Sequence, residues 1–137
     1  MGTRSTIALE FADGTVQQVY CHWDGYLEHN GQILQNYYMD PFKVRDLIDL
    51  GGFSSLDKTV EATAATAYTQ RGETKRVEKF IDYEDYIENH QYEEYEYILR
   101  QVEGKAVWFV KCHDDDYVTL AEAIMDEKDR IAQEETE

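Results

Sequence analysis

The chain predicts an α+β domain: an antiparallel sheet of about four or more strands, built from two hairpins, with helices packed on one face. Three observations carry that expectation. Two alternating runs flank Asp13-Gly14, and two more flank Glu103-Gly104. Between and after them, apolar residues recur at helical spacing behind good capping residues. At 137 residues with 42% hydrophobic content, the chain suits a single domain, 1–137, fraying from about residue 133.

The first strand reads from Ile7, Leu9 and Phe11, which share one side of residues 4–11. After Asp13-Gly14, Val19, Cys21 and Trp23 share one side of residues 16–23 and are expected to face a core. Tyr20 and His22 share the other side. Asp24-Gly25 reads as a turn, with Gly25 accepting positive φ and Asp24 bonding its own backbone. Asp24 and Tyr26 then sit at a loop tip beside a sheet end, where binding residues collect. The competing reading is a tryptophan that anchors a core corner, with a turn after it.

A loop over residues 26–31 leads to a helix of about two turns carrying Ile33, Leu34, Tyr37 and Tyr38. Asp40 caps a second helix, Pro41 opens it, and Phe42, Val44, Leu47 and Ile48 give its apolar side. Gly51-Gly52 stops it. Residues 53–77 mix Ala with Thr and Val, and an extended segment is expected around residues 64–69. Residues 70–73 read as a turn. Arg71, Lys75, Arg76 and Lys79 form the basic cluster of the chain. Asp82 caps a short helix over residues 83–89. Tyr95, Tyr97 and Leu99 alternate with Glu96, Ile98 and Arg100, and residues 106–112 form the most strand-like run, completing the second hairpin. Thr119 and Glu122 fit a capping box ahead of a final helix from about Leu120.

Charge is the dominant global feature. The formal net charge is −16, and it is unevenly spread. Residues 1–81 carry 11 acids against 8 Lys and Arg; residues 82–137 carry 18 against 5. Such a balance opposes direct binding to nucleic acid, which needs Lys and Arg against phosphates. It equally opposes an anionic membrane surface. Residues 82–96 hold seven acids and no Lys or Arg. Among them are Asp82, Glu84, Asp85, Glu88, Glu93 and Glu94, and Asp114, Asp115 and Asp116 add a second cluster. Rows of carboxylates on a folded surface imitate a phosphate backbone, which carries one charge per about 1.7 Å of duplex. The bland alternative is a face that only keeps the protein soluble.

Chemical motifs are sparse. Cys21-His22 and Cys112-His113 each put adjacent residues on opposite faces of a strand, so neither pair suits one metal ion or a thiol nucleophile with its base. Asp114-Asp115-Asp116 lacks the spacing, glycine and terminal glutamate of a calcium loop. No phosphate loop or nucleophile elbow is present. Two cysteines, an apolar run no longer than residues 106–110, and no apolar leader at the start fit a cytoplasmic protein without cofactors.

The runs Thr3-Arg4-Ser5-Thr6-Ile7, His22-Trp23-Asp24-Gly25-Tyr26 and Gly31-Gln32-Ile33-Leu34, continued by Leu50-Gly51 and Ser55-Leu56, resemble a group of small proteins encoded by tailed phages and prophages. Their pattern is T-R-S-x-I, then H-W-D-G-Y, then G-x-I-L. The resemblance covers roughly the first 56 residues and implies a phage setting in a host cytoplasm; it carries no functional residues over.

Together these readings predict an accessory binding protein rather than an enzyme. Its acidic residues would occupy the basic, DNA-binding surface of a host factor such as a defence nuclease, inhibiting it by mimicry. One alternative is a pocket for a small molecule, such as a nucleotide signal, near the His-Trp-Asp-Gly-Tyr turn, using His22, Trp23, Asp24, Tyr26, Arg71 and Arg76. Another is a small hydrolase.

Overall fold

A computed structural model describes residues 3–90, 92–113 and 115–136. Asp13 bonds the backbone N–H and the hydroxyl of Thr15 and so turns β1 (Ser5–Glu10) into β2 (Val16–Cys21). Asp40 accepts from the N–H of Phe42 and starts α2 (Pro41–Ile48), which follows α1 (Gln32–Tyr37). Gly51 and Gly52 end α2 at φ of 84° and 112°. Asp82 caps α4 (Tyr83–Asn89) through the N–H of Asp85, and Thr119 caps α5 (Leu120–Thr136) through that of Glu122. The second hairpin pairs β4 (Tyr95–Val102) with β5 (Lys105–Cys112).

With β3 (Glu78–Phe80) and β6 (Val118–Thr119) at its edges, the strands form a six-stranded mixed sheet, mostly antiparallel, in the order β3-β2-β1-β4-β5-β6. The two hairpins meet at a parallel pair, β1 beside β4, with Ser5 opposite Tyr95 and Leu9 opposite Leu99. Two short edge strands escaped the sequence reading. β3 lies against β2, and β6 lies against β5. Both are too short for alternation to register.

The larger core lies on one face of the sheet. Ile7, Leu9, Val19, Tyr97, Leu99 and Trp108 pack there against Leu34 and Tyr38, against Val44 and Leu47 of α2, and against Leu120 and Ile124 of α5. Trp108 donates its indole N–H to the Tyr38 carbonyl at 2.9 Å, so its one polar atom is satisfied in the core. The opposite face holds a smaller core of Ala8, Val16, Phe80, Tyr86 and Ile98, covered by α4. Arg100 fixes that helix: its guanidinium lies 3.5 Å from the Tyr83 ring centroid and 3.1 Å from Glu10. α4 and α5 therefore lie on opposite faces, and the acids of the last helix do not share a surface with those of α4.

Three local expectations are corrected. Residues 27–31 form a wide helical turn running into α1, not a loop. Residues 64–69 are not extended: α3 (Val60–Ala64) and a tight turn over residues 68–71 flank Ala67, which bridges Phe53. The threonines explain this. Thr59 caps α3 at the N–H of Ala62, and the hydroxyls of Thr63 and Thr66 bond the carbonyls of Thr59 and Ser55. Such local bonds favour turns over strands. Trp23, expected in the core, is 42% exposed. The strand ends at Cys21, and the corner beyond it is already filled by Asn30, which is fully buried.

Candidate functional site

The corner after β2 is built around Asn30. Its amide donates to the hydroxyl of Ser5 at 3.2 Å and lies within 3.4 Å of the Cys21 sulfur. The N–H groups of His22 and Trp23 bond the carbonyls of Phe53 and Ser54, so the chain leaves the sheet along the 53–54 segment. Positive φ falls on Asp24, at 58°, and not on Gly25. Gly25 is needed for a different reason: a Cβ there would lie 2.8 Å from both Ser5 Cβ and the Thr3 carbonyl. Tyr97 locks the turn from beneath by donating to the Gly25 carbonyl at 2.6 Å.

This turn divides the predicted pocket residues into two groups. Asp24 and Tyr26 pair with each other locally, and the Asp24 charge holds the Tyr26 hydroxyl above its usual pKa. His22 and Trp23 join a second group. The Tyr20 hydroxyl lies 2.8 Å from His22 Nδ1, and Trp23 meets the His22 ring edge-on at 4.7 Å. Tyr68 stacks on Tyr20 at 6.5 Å, and the Arg71 guanidinium lies over Tyr68 while donating to the hydroxyl of Ser54. Arg71 thus reaches the corner through Tyr68, a residue the sequence reading did not single out. Arg76 lies close by along the chain: a Cβ on Gly51 would meet its backbone N–H at 3.1 Å, and the next residue, Gly52, abuts Tyr68.

The acidic residues also divide. Asp82, Glu84, Glu88, Glu94, Asp115 and Asp116 are exposed. Asp85 is half-buried and structural: one carboxylate oxygen accepts from the N–H of Ile81, the other from Asn89. Glu93 is half-buried too, and burial pushes its carboxyl up against the opposing pull of Arg4 and His22. It belongs to the corner more than to the acidic face. Asp114 lies outside the described residues.

Beneath the acidic residues lies a buried polar network. His90 Nδ1 is 2.5 Å from the Tyr86 carbonyl, so this nitrogen carries a proton. Its Nε2 faces the carboxylate of Glu96, and Tyr117 donates to the same carboxylate oxygen at 2.7 Å. Tyr86 stacks on the His90 ring at 4.4 Å and reaches the Tyr117 hydroxyl at 3.2 Å. Glu96 is 1% exposed and His90 4%, so this network is closed to substrates and holds α4 and the 115–117 segment to β4. Glu96, one of the seven acids of residues 82–96, is therefore absent from the surface.

Two grooves open elsewhere on the described surface. One lies between α2 and the start of α3, beside Phe42, Asp46 and Glu61. The other is a narrow cleft between Leu27 and Ile124. Neither includes a residue of the His22–Tyr26 turn. Among the described residues, no three His, Cys, Asp or Glu side chains converge as metal ligands, and no helix is long and apolar enough to cross a membrane. Comparison of the chain with protein-family models, with curated proteins and with solved structures finds no match.

Proposed function

We propose that the protein is a phage-type accessory factor whose α4 face occupies a basic, DNA-binding surface on a host protein. One observation carries this reading. Among the described residues, Asp82, Glu84, Glu88, Glu94, Asp115 and Asp116 are exposed, and none is ion-paired with Lys or Arg. On α5 the pattern is reversed, because Arg130 engages both Glu127 and Glu134. An acidic face that serves only solubility gains from interspersed cations. A face left unneutralised holds its full field for a basic partner. The Tyr86–Tyr117–Glu96 contacts support the same reading, since they bring the 115–116 acids up beside α4.

The test is displacement. Duplex DNA bound to a candidate host nuclease should be released by the wild-type protein, less so as salt rises, because exposed charges are screened over about 8 Å at physiological salt. The combined variant Glu84→Lys, Glu88→Lys, Glu94→Lys and Asp116→Lys should lose that release while keeping its fold, since exposed substitutions usually cost within about 0.5 kcal/mol each. Asp85 and Glu93 are left out because both are half-buried. A nuclease that holds DNA and this protein together, or equal release by the variant, refutes mimicry.

A further inference from the structure

The rings at the end of β2 form a chain of contacts: Trp23 edge-on to His22, His22 tilted against Tyr20, Tyr20 stacked with Tyr68, and Arg71 over Tyr68. None of the four rings is buried in the core, and Trp23 is 42% exposed. The Tyr20 hydroxyl holds His22 by Nδ1 and so fixes how the ring presents Nε2. The exposed Trp23 ring, braced edge-on by His22, suits a planar heteroaromatic group.

Two guanidinium groups stand at this corner: Arg4 lies within electrostatic range of Tyr20, and Arg71 meets Ser54, whose carbonyl takes the N–H of Trp23. Both arginines are exposed, and among the described residues neither has a carboxylate within ion-pair distance. A guanidinium held without a paired carboxylate beside an exposed ring suits an anion. Arg71 is also held in place, by Ser54 and by the Tyr68 ring. Glu93 lies within electrostatic range of Tyr20, Arg4 and His22 and offers an acceptor for a base N–H.

We infer that this corner binds a free purine mononucleotide, the base stacking on the exposed Trp23 ring and the phosphate meeting Arg71, which Ser54 holds beside it. The occupant is a mononucleotide and not a strand. One phosphate suits the Arg71 guanidinium, whereas each added nucleotide brings another charge towards a protein of net charge −16. The inference goes beyond the acidic-face proposal and involves none of the residues reversed in its test.

Titration with AMP and GMP, followed by tryptophan fluorescence and by proton–nitrogen NMR of the two indole N–H groups, tests it. Trp108 is 1% exposed and serves as the internal reference. Saturable quenching and a shift of the Trp23 indole alone are expected. Arg71→Gln should weaken binding about tenfold with an unchanged circular dichroism spectrum, and Tyr68→Phe should preserve it. Four outcomes overturn the inference: no saturable change at millimolar nucleotide, indifference to Arg71→Gln, an equal response to inorganic phosphate alone, or tighter binding of a short oligonucleotide than of the mononucleotide.

Discussion

Cys21 and Trp23 stand two residues apart, and strand parity points both towards the same core. Cys21 arrives there and is fully buried. Burial pushes its thiol up to about 11 from the usual 9. In the unfolded chain the thiol ionises first as the pH rises, so the stability it lends is complete below about pH 9 and is lost towards pH 11, by roughly 2–3 kcal/mol. Urea midpoints measured across that interval should fall accordingly, and Cys21→Ala should flatten part of the fall. Trp23 shows where parity stops being informative. Alternation gives the direction of a side chain, but not whether anything lies beyond the last strand residue to cover it. Here Asn30, arriving from the helical turn at residues 27–31, took the space.

At the scale of elements, caps were the most legible signals. Asp40, Asp82 and Thr119 each bond the backbone N–H that their positions predict, because a cap acts over two or three residues. The extended segment expected around residues 64–69 fails for a related reason: Thr59, Thr63 and Thr66 spend their hydroxyls on nearby backbone groups. The network under α4 was not legible at all. His90, Glu96 and Tyr117 belong to a helix end, a strand and a loop, and no spacing announces their meeting. Its energetics are testable. Removing one partner of a buried hydrogen bond typically costs about 1–3 kcal/mol, because the other polar group is left unsatisfied. His90→Ala and Glu96→Ala should each fall in that range by urea unfolding. The double variant should cost clearly less than their sum, because each single change already destroys the shared interaction. Strict additivity would show that the pair is not coupled.

At the scale of the molecule, alternation around two turns foretells the α+β fold and its two hairpins, but not the seam that joins them. β1 and β4 alternate equally well for parallel or antiparallel partners, so their sequences leave the orientation open. The minor face shows the same limit, since α4 covers a side of the sheet that carries both apolar residues and the Tyr20, Thr6 and Glu96 row. The parallel seam sets the order of events when the chain folds. Each hairpin closes a short turn, whereas Glu10 and Arg100 across the seam are 90 residues apart. Hairpins form in about 1–10 μs, whereas joining distant segments must first overcome the entropy of a long loop. Docking of two ready-made ribbons is therefore expected to limit the rate. Val102→Ala, in the ready-made second hairpin, should slow refolding in stopped-flow experiments with little effect on unfolding, while Ile7→Val and Leu99→Ala, on the seam that is only forming, should divide their effect between the two rates. The chain thus spends its search time with two finished edges exposed, each waiting for the other.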